Sequence, residues 1–287
     1  MTKHSWAQEL LRRPAGVAAA AWIVLLVVAA VVSSVWTPHD PFDTDPYSAW
    51  QTPSLNHLFG TDGIGRDIFS YVFAATRTTV VVAALAGVLA SLVGIGLAAL
   101  GSLTARWVRE STAVLIDILI AFPTILIAML LSSILGGSLG VVITAVGIGY
   151  GVNIARVSRG EIRRVGRTDY VLAARASGVG SAGVLGRHIL PNVAPVFVVQ
   201  LSLAMATSIL AEAGLSYLGY GASASTASWG RLLNDLQVYI AIHPGSVVWP
   251  GAAITLTVLA FNLLGDALRD ATDPRLRARR ATSEAIA

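Results

Sequence analysis

Apolar residues in this chain come in blocks, and each block approaches the length that a helix needs to cross a bilayer. Runs at about 78–101, 111–135, 139–154, 193–213 and 247–268 follow a first run at 16–36. Roughly 20 residues at helical rise span the ~30 Å of hydrocarbon. The chain is 55% hydrophobic and only 13% charged, against roughly a quarter charged in an average soluble domain. These blocks predict an all-α polytopic membrane protein with six transmembrane helices.

The first run follows Lys3, Arg12 and Arg13, as a secretory signal would. A signal's apolar core is about 7 to 15 residues, and the exit at Ser33-Ser34-Val35-Trp36 is a poor cleavage site. The run is therefore expected to stay as a first span. The expected division is an N-terminal tail at 1–15, span one at 16–36, an outer loop at 37–76, a bundle of five further spans at 77–268 and a C-terminal tail at 269–287. The outer loop carries Pro38, Pro41, Pro46 and Pro53 with Asp40, Asp43, Asp45, Asp62 and Asp67, and a short helix is expected late in it.

Six spans put both termini on one side of the membrane. Of 20 basic residues, 17 lie in the two tails, near Arg106, or between Arg156 and Arg187; only Arg66, Arg77 and Arg231 fall in the opposite loops. The positive-inside rule makes both termini cytoplasmic. A second outer loop then spans 214–246, and a cytoplasmic loop spans 156–191. This distribution leaves no single basic face for nucleic acid.

Some chemistry is excluded by residue type. The chain has no cysteine, hence no disulfide, thiolate metal site or thiol nucleophile. Its one lysine, Lys3, cannot end a phosphate-binding loop of the form G-x-x-x-x-G-K-[ST]. Any ATP hydrolysis must come from another polypeptide.

The loop at 156–191 is too patterned for a plain connector. In Asp169-Tyr170-Val171-Leu172-Ala173-Ala174-Arg175-Ala176-Ser177-Gly178, Asp169 is expected to N-cap a short helix and Gly178 to end it in a left-handed conformation. A second helical piece at 181–188 leads to Pro191, expected to open span five. A short helix with small side chains, held between two membrane helices, can seat in a groove of another protein. An amphipathic helix lying on lipid headgroups is the alternative.

Residues 169–191 resemble the E-A-A-x-x-x-G loop of binding-protein-dependent ABC importers. Gly60-Thr61-Asp62-Gly63-Ile64-Gly65-Arg66-Asp67, Asp117 with Ala121-Phe122-Pro123, the stretch from Glu212 through Gly214 to Gly219, and Asp266, Arg269 and Asp270 followed by Asp273-Pro274-Arg275 resemble the C-type permease of dipeptide, oligopeptide and nickel importers. The resemblance implies a type I importer transmembrane domain in a bacterial inner membrane, with the coupling helix docking on an ATPase through Asp169, Ala173, Ala174, Gly178 and Pro191. It implies a homologous second permease, two ATP-binding subunits and an extracytoplasmic substrate-binding protein as partners, with membrane lipid around them. ATP and Mg2+ would sit on the ATPases, and no cofactor or metal on this chain. The family often has Glu where Leu172 stands, which with Asp169 as N-cap is position N3.

Three ionisable residues fall within the apolar runs. Asp117 is expected to pair with Arg106 or Arg109, and Asp266 with Arg269 or a loop arginine; Glu212 lies near the outer end of span five. Structural pairing is preferred over a proton relay because all three lie within a turn or two of an interface. His4, His39, His57, His188 and His243 are expected as solvated loop or span-edge residues, not paired at ligand spacing. Gly136/Gly140 and Gly147/Gly151 are small-x-x-x-small pairs that would let helices approach closely. A stand-alone secondary transporter would need a midplane ion site with broken helices; Pro123 could supply the break, but no midplane acid accompanies it. An intramembrane hydrolase would need a nucleophile beside a base, and no histidine lies in a span core. The favoured expectation is an importer permease for short peptides, with nickel or another small solute as the alternative.

Overall fold

The computed structural model describes residues 14–103 and 106–272. Lys3, His4, Arg12, Arg13, Asp273, Pro274 and Arg275 lie outside the described residues. Ten α-helices follow in order: α1 (Pro14–Val32), α2 (Ile68–Leu103), α3 (Arg106–Ala121), α4 (Thr124–Leu135), α5 (Leu139–Val165), α6 (Asp169–Ala176), α7 (Ser181–Val184), α8 (Leu190–Tyr217), α9 (Trp229–Gln237) and α10 (Pro244–Thr272). Among the described residues, extended pairing is limited to one isolated bridge, Thr61 with Asp67.

Five helical stretches are long and apolar enough to cross a membrane: α1, α2, α5, the continuous run from Ser181 to Tyr217, and α10. A sixth crossing is reached when two shorter helices are taken as one broken span. Its halves, α3 and α4, meet at a 77° bend. Pro123 sits at the break with ψ 120°, outside the helical region; proline has no N–H to donate and its ring collides with the preceding turn.

Several helix ends depart from the sequence expectation. α2 starts at Ile68, so the short helix expected late in the outer loop is the first part of span two, and Arg77 lies inside it. α5 runs eleven residues past the apolar block that suggested it, carrying Arg156 and Arg159 on to Arg163 and Arg164 in its last turn. Those two cations complement the negative end of the helix dipole. Pro191 lies in the first turn of α8, as expected, although the helical run as a whole reaches back to Ser181. A π turn at 185–189, closed by Leu190 N–H to Leu185 O, joins α7 to α8. That wider turn adjusts the helical register beside a proline that cannot donate one turn back.

In hydrocarbon, apolar surface gives helices no reason to associate, so close packing and small residues decide contacts. α2 and α5 meet most extensively. A Cβ at Gly151 would lie 2.6 Å from Val93 Cβ and 2.9 Å from Ala90 O, and one at Gly147 would lie 2.8 Å from Leu89. Gly94 answers from α2: its Cβ would stand 2.6 Å from Ile154 Cγ2. The Gly147/Gly151 pair is therefore a helix interface. The Gly136/Gly140 pair is not: Gly136 ends α4 at φ 85°, and a Cβ at Gly140 would touch only Ser138 Oγ, at 3.9 Å.

Gly151→Leu is expected to lower stability by about 1–3 kcal/mol, the usual range for overpacking. Unfolding of the detergent-solubilised chain by heat or SDS measures it. Gly140→Leu should leave the midpoint where it is.

Candidate functional site

Two regions collect the residues singled out in the sequence. The first is the segment between α5 and α8. Thr168, not Asp169, is the N-cap of α6, with φ −76° and ψ 150°. The Thr168 hydroxyl does not cap; it donates to Val165 O at 2.6 Å. Asp169 is the first helical residue, where its charge still favours the positive end of the dipole. Val171 becomes N3, and Leu172 stands one position beyond it. A Glu at 172 would therefore not close a capping box on this geometry.

Gly178 behaves as expected. Its φ is 83°, its N–H reaches Arg175 O at 3.0 Å, and Val179 N–H reaches Ala174 O at 3.1 Å. This pair of bonds is a Schellman stop, which satisfies carbonyls the helix end would leave free. A Cβ at Gly178 would meet nothing within 4 Å. Only its backbone conformation demands glycine.

One side chain fastens α6 to the bundle. Val171 is fully buried among Ala98, Ile162, Val165, Val184, Leu185, Ile189 and Val193. The opposite face is open: Tyr170 and Leu172 are about half exposed, at 46% and 49%, and Ala173 and Ala176 are exposed. Sequence reasoning chose Ala173 and Ala174 but missed Tyr170; Ala174 is only half-exposed.

Cavities flank α6. One, of about 470 Å3, is lined by Arg109, Arg159, Arg163, Arg167 and Arg175 over a floor that includes Ile162, Val184 and Ile189. The other, of about 760 Å3, takes Glu161, Arg164, Tyr170, Asn192, Asp266 and Arg269 into its wall. Glu161 and Arg164 pair at 2.9 Å. Asp266 is exposed and makes no ion pair among the described residues, with Arg269 or any other. Asp117 is likewise exposed on α3 without an ion pair among the described residues: Arg106 and Arg109 lie two turns or more back on the same helix, roughly 12 Å or more along its axis, and Arg106 pairs with Glu110 at 2.7 Å. Gly265 is explained by packing, since a Cβ there would lie 2.4 Å from Ser202 Oγ on α8. Asp270 lies in the last turn of α10.

The second region joins the first loop to α9. Asp62 is 3% exposed; its Oδ1 accepts the N–H groups of Ile64 and Arg66 at 3.0 and 2.9 Å, and its Oδ2 accepts Arg66 Nε at 2.7 Å. Arg66 Nη2 then reaches Asp235 at 2.9 Å. Burial works against the Arg66 cation, but Asp235 and Asp62 more than offset it and hold its pKa above the usual value. Thr61 Oγ1 donates to Ser48 O at 2.5 Å. Gly60 and Gly65 have φ of 75° and 80°, and a Cβ at Gly65 would lie 1.9 Å from Asp45 O. Asp67 starts α2 by accepting Ser70 N–H at 2.7 Å. Residues 60–67 thus form a clasp that closes the loop on itself and ties it to α9.

Glu212 serves the same end of the molecule. It is 1% exposed, and its Oε1 accepts the hydroxyls of Ser216 at 2.6 Å and Ser228 at 2.8 Å. Ser216 Oγ in turn accepts Ala222 N–H at 2.8 Å. Gly219, at φ 83°, ends α8 with the same Schellman bonds as Gly178. A Cβ at Gly214 meets nothing, and nothing in the structure explains that glycine. Helix α9 was not foreseen; Trp229, Leu232 and Leu236 bury one face of it, and Trp229 Nε1 donates to Val72 O at 2.9 Å.

The histidines are not all solvated and separate. His243 stacks on Trp50 at 3.9 Å between ring centroids. His39 and His57 stack at 4.8 Å beside Asp67, with His57 Nδ1 at 2.9 Å and His39 Nδ1 at 3.8 Å from its two oxygens.

Comparison with known proteins fits this geometry to a family. Residues 90–278 match the binding-protein-dependent transport system inner membrane component. The chain belongs to that family. It is 38% identical over 256 residues to the nickel transport system permease protein NikC of Escherichia coli K12, covering 88% of this chain and 92% of the relative. It is 37% identical over 285 residues to the glutathione transport system permease protein GsiD of Escherichia coli O1:K1, covering 96% and 91%. It is 35% identical over 258 residues to the dipeptide transport system permease protein DppC of Alkalihalophilus pseudofirmus, covering 89% and 84%. This permease is thus a multi-pass subunit of a bacterial cytoplasmic membrane, in the ABC importer family of peptide, nickel and glutathione permeases.

Arg66→Ala in the permease leaves Asp62 buried without its cation and is expected to cost about 3–5 kcal/mol. Asp235→Asn should cost about 0–1 kcal/mol, because that end of the bridge is partly solvated. Thermal unfolding of the two variants in one detergent compares them.

Proposed function

We propose that this permease forms half of the path by which di- and oligopeptides enter the cell, driven by alternating access. Two ATP-binding subunits supply the energy, and a homologous second permease encloses the other half of the path. An extracytoplasmic binding protein delivers the substrate. ATP and Mg2+ stay on the ATPases, and this chain holds the coupling element at 169–191 and no catalytic group.

The observation that carries this reading is the build of α6. It is a two-turn helix with an open face of Tyr170, Leu172 and Ala173, a glycine stop, and one buried anchor. Val171 shares one buried cluster with Ile162 and Val165 of α5, Ile189 of the π turn and Val193 of α8, so force on the open face is passed to a core that two membrane helices share. Close-packed contacts of this kind transmit displacement because they do not deform smoothly. A helix lying flat on headgroups would turn its apolar residues to the lipid; here the most apolar position is spent inside the protein.

Peptide as the cargo rests on the names of relatives. One is a dipeptide permease and one transports glutathione, itself a tripeptide. Nickel is the second reading, from NikC. Competition separates them: unlabelled dipeptides should suppress uptake by the reconstituted assembly, and excess Ni2+ should not.

Gly178→Val tests the lever. A β-branched residue at positive φ is strained by about 1–2 kcal/mol, which frays the last turn of α6 without a steric clash. Uptake is expected to fall roughly tenfold or more while the amount of inserted permease stays the same. Undiminished uptake would remove α6 from the coupling path.

A further inference from the structure

Asp67 has more partners than a helix cap requires. Its Oδ2 is already satisfied by Ser70 N–H at 2.7 Å and its Oδ1 by His57 Nδ1 at 2.9 Å. The first loop nevertheless brings a second imidazole to the same buried carboxylate. His39 Nδ1 stands 3.8 Å from Oδ2, too far for a hydrogen bond. Its backbone is held there by its own N–H to Ser70 Oγ at 3.1 Å, so one serine positions both Asp67 and His39.

Two imidazoles stacked at 4.8 Å and tilted by 26° on one carboxylate would repel each other if both were protonated. If both are neutral, each has a lone pair that a cation can use. One donor atom from each of His39, His57 and Asp67 falls within 4.8 Å of the other two. Ligands about 2.0–2.2 Å from a shared ion lie roughly 3–4 Å apart, so a small rotation of the His39 ring closes the set. The His39 side chain is 43% exposed, against 17% for His57 and 3% for Asp67. The site is thus rigid on its inner side and open to water on the other.

We propose that His39, His57 and Asp67 bind a divalent first-row transition ion, Zn2+ or Ni2+, with water in the remaining positions. Two imidazole nitrogens and one carboxylate suit such ions better than Mg2+ or Ca2+, which prefer oxygen alone. A neutral His57 then carries its proton on Nε2, so the ion replaces the Nδ1–H bond to Asp67 with no net loss of a proton; only an imidazolium would release one to solvent. It would pin the start of the first loop to the beginning of α2, whatever solute the permease carries. Ser70 N–H, which orients Asp67, does for the carboxylate what an outer partner does for a metal ligand.

The test uses the full-length permease, purified in detergent with a histidine-free affinity tag and stripped of metal. Calorimetric titration with Zn2+, and separately with Ni2+, is expected to show saturable binding of about one ion per chain. His39→Ala and His57→Gln should each weaken it roughly tenfold or more, as loss of a metal's supporting groups commonly does. Without metal, His39→Ala should unfold at the wild-type temperature, since its side chain is half-exposed; with metal, only the wild type should gain thermal stability. Absence of saturable binding at micromolar ion, or equal affinity in wild type and His39→Ala, would overturn the site.

Discussion

The contact between α2 and α5 is the one on which the rest of the molecule hangs. In a bilayer, helices gain little by hiding apolar surface from each other, and adhesion comes from how near their backbones can lie. Gly94, Gly147 and Gly151 allow that approach, and Leu89, Val93 and Ile154 fill the space the missing side chains leave. The pair also carries both candidate regions. The first turn of α2 emerges from the clasp at residues 60–67, and the last turns of α5 lead into α6.

The two ends are built with opposite mechanics. On the α9 side, Asp62, Asp67 and Glu212 are buried and accept from backbone or side-chain donors at short distances, Arg66 among those donors. Charge-assisted bonds in such surroundings are about twice as strong as neutral ones, so this end resists rearrangement. At the other end, α6 is attached by one apolar side chain and bounded by cavities on both flanks. Motion imposed there meets few bonds that must break.

What the sequence disclosed follows from the range over which each signal acts. Apolar blocks, the stop at Gly178 and the break at Pro123 are properties of a few neighbouring residues, and all three appear as expected. The cap of α6 shifted by one residue because Thr168 and Asp169 are both good capping types, and the extended backbone of Thr168 decides between them. The α5 extension was hidden because hydropathy falls after Ile154 while the helix continues on a face that still buries Ile162 and Val165. Asp235 with Arg66, and His39 with His57, join residues far apart in the chain. No local pattern announces such pairs. Helix α9 did leave a trace, the spacing of Leu232 and Leu236 after Ser228 and Trp229, inside a stretch expected only as loop.

Electrostatics gives α6 a handed environment. On one flank, five arginines line a cavity whose described wall carries no carboxylate; on the other, Glu161 and Asp266 stand among Arg164 and Arg269. Cations gathered without acids repel one another, and that repulsion is tolerable only where water, anionic headgroups or an acidic surface can reach them. The same asymmetry acts on an approaching body. Under the proposed docking, an acidic surface would be drawn to the arginine flank and find a nearly balanced field on the opposite one, so charge would fix orientation before the Tyr170 and Leu172 face made contact. Orientation by charge followed by apolar seating would separate where such a partner lands from how tightly it holds, and only the second would depend on the open face of α6.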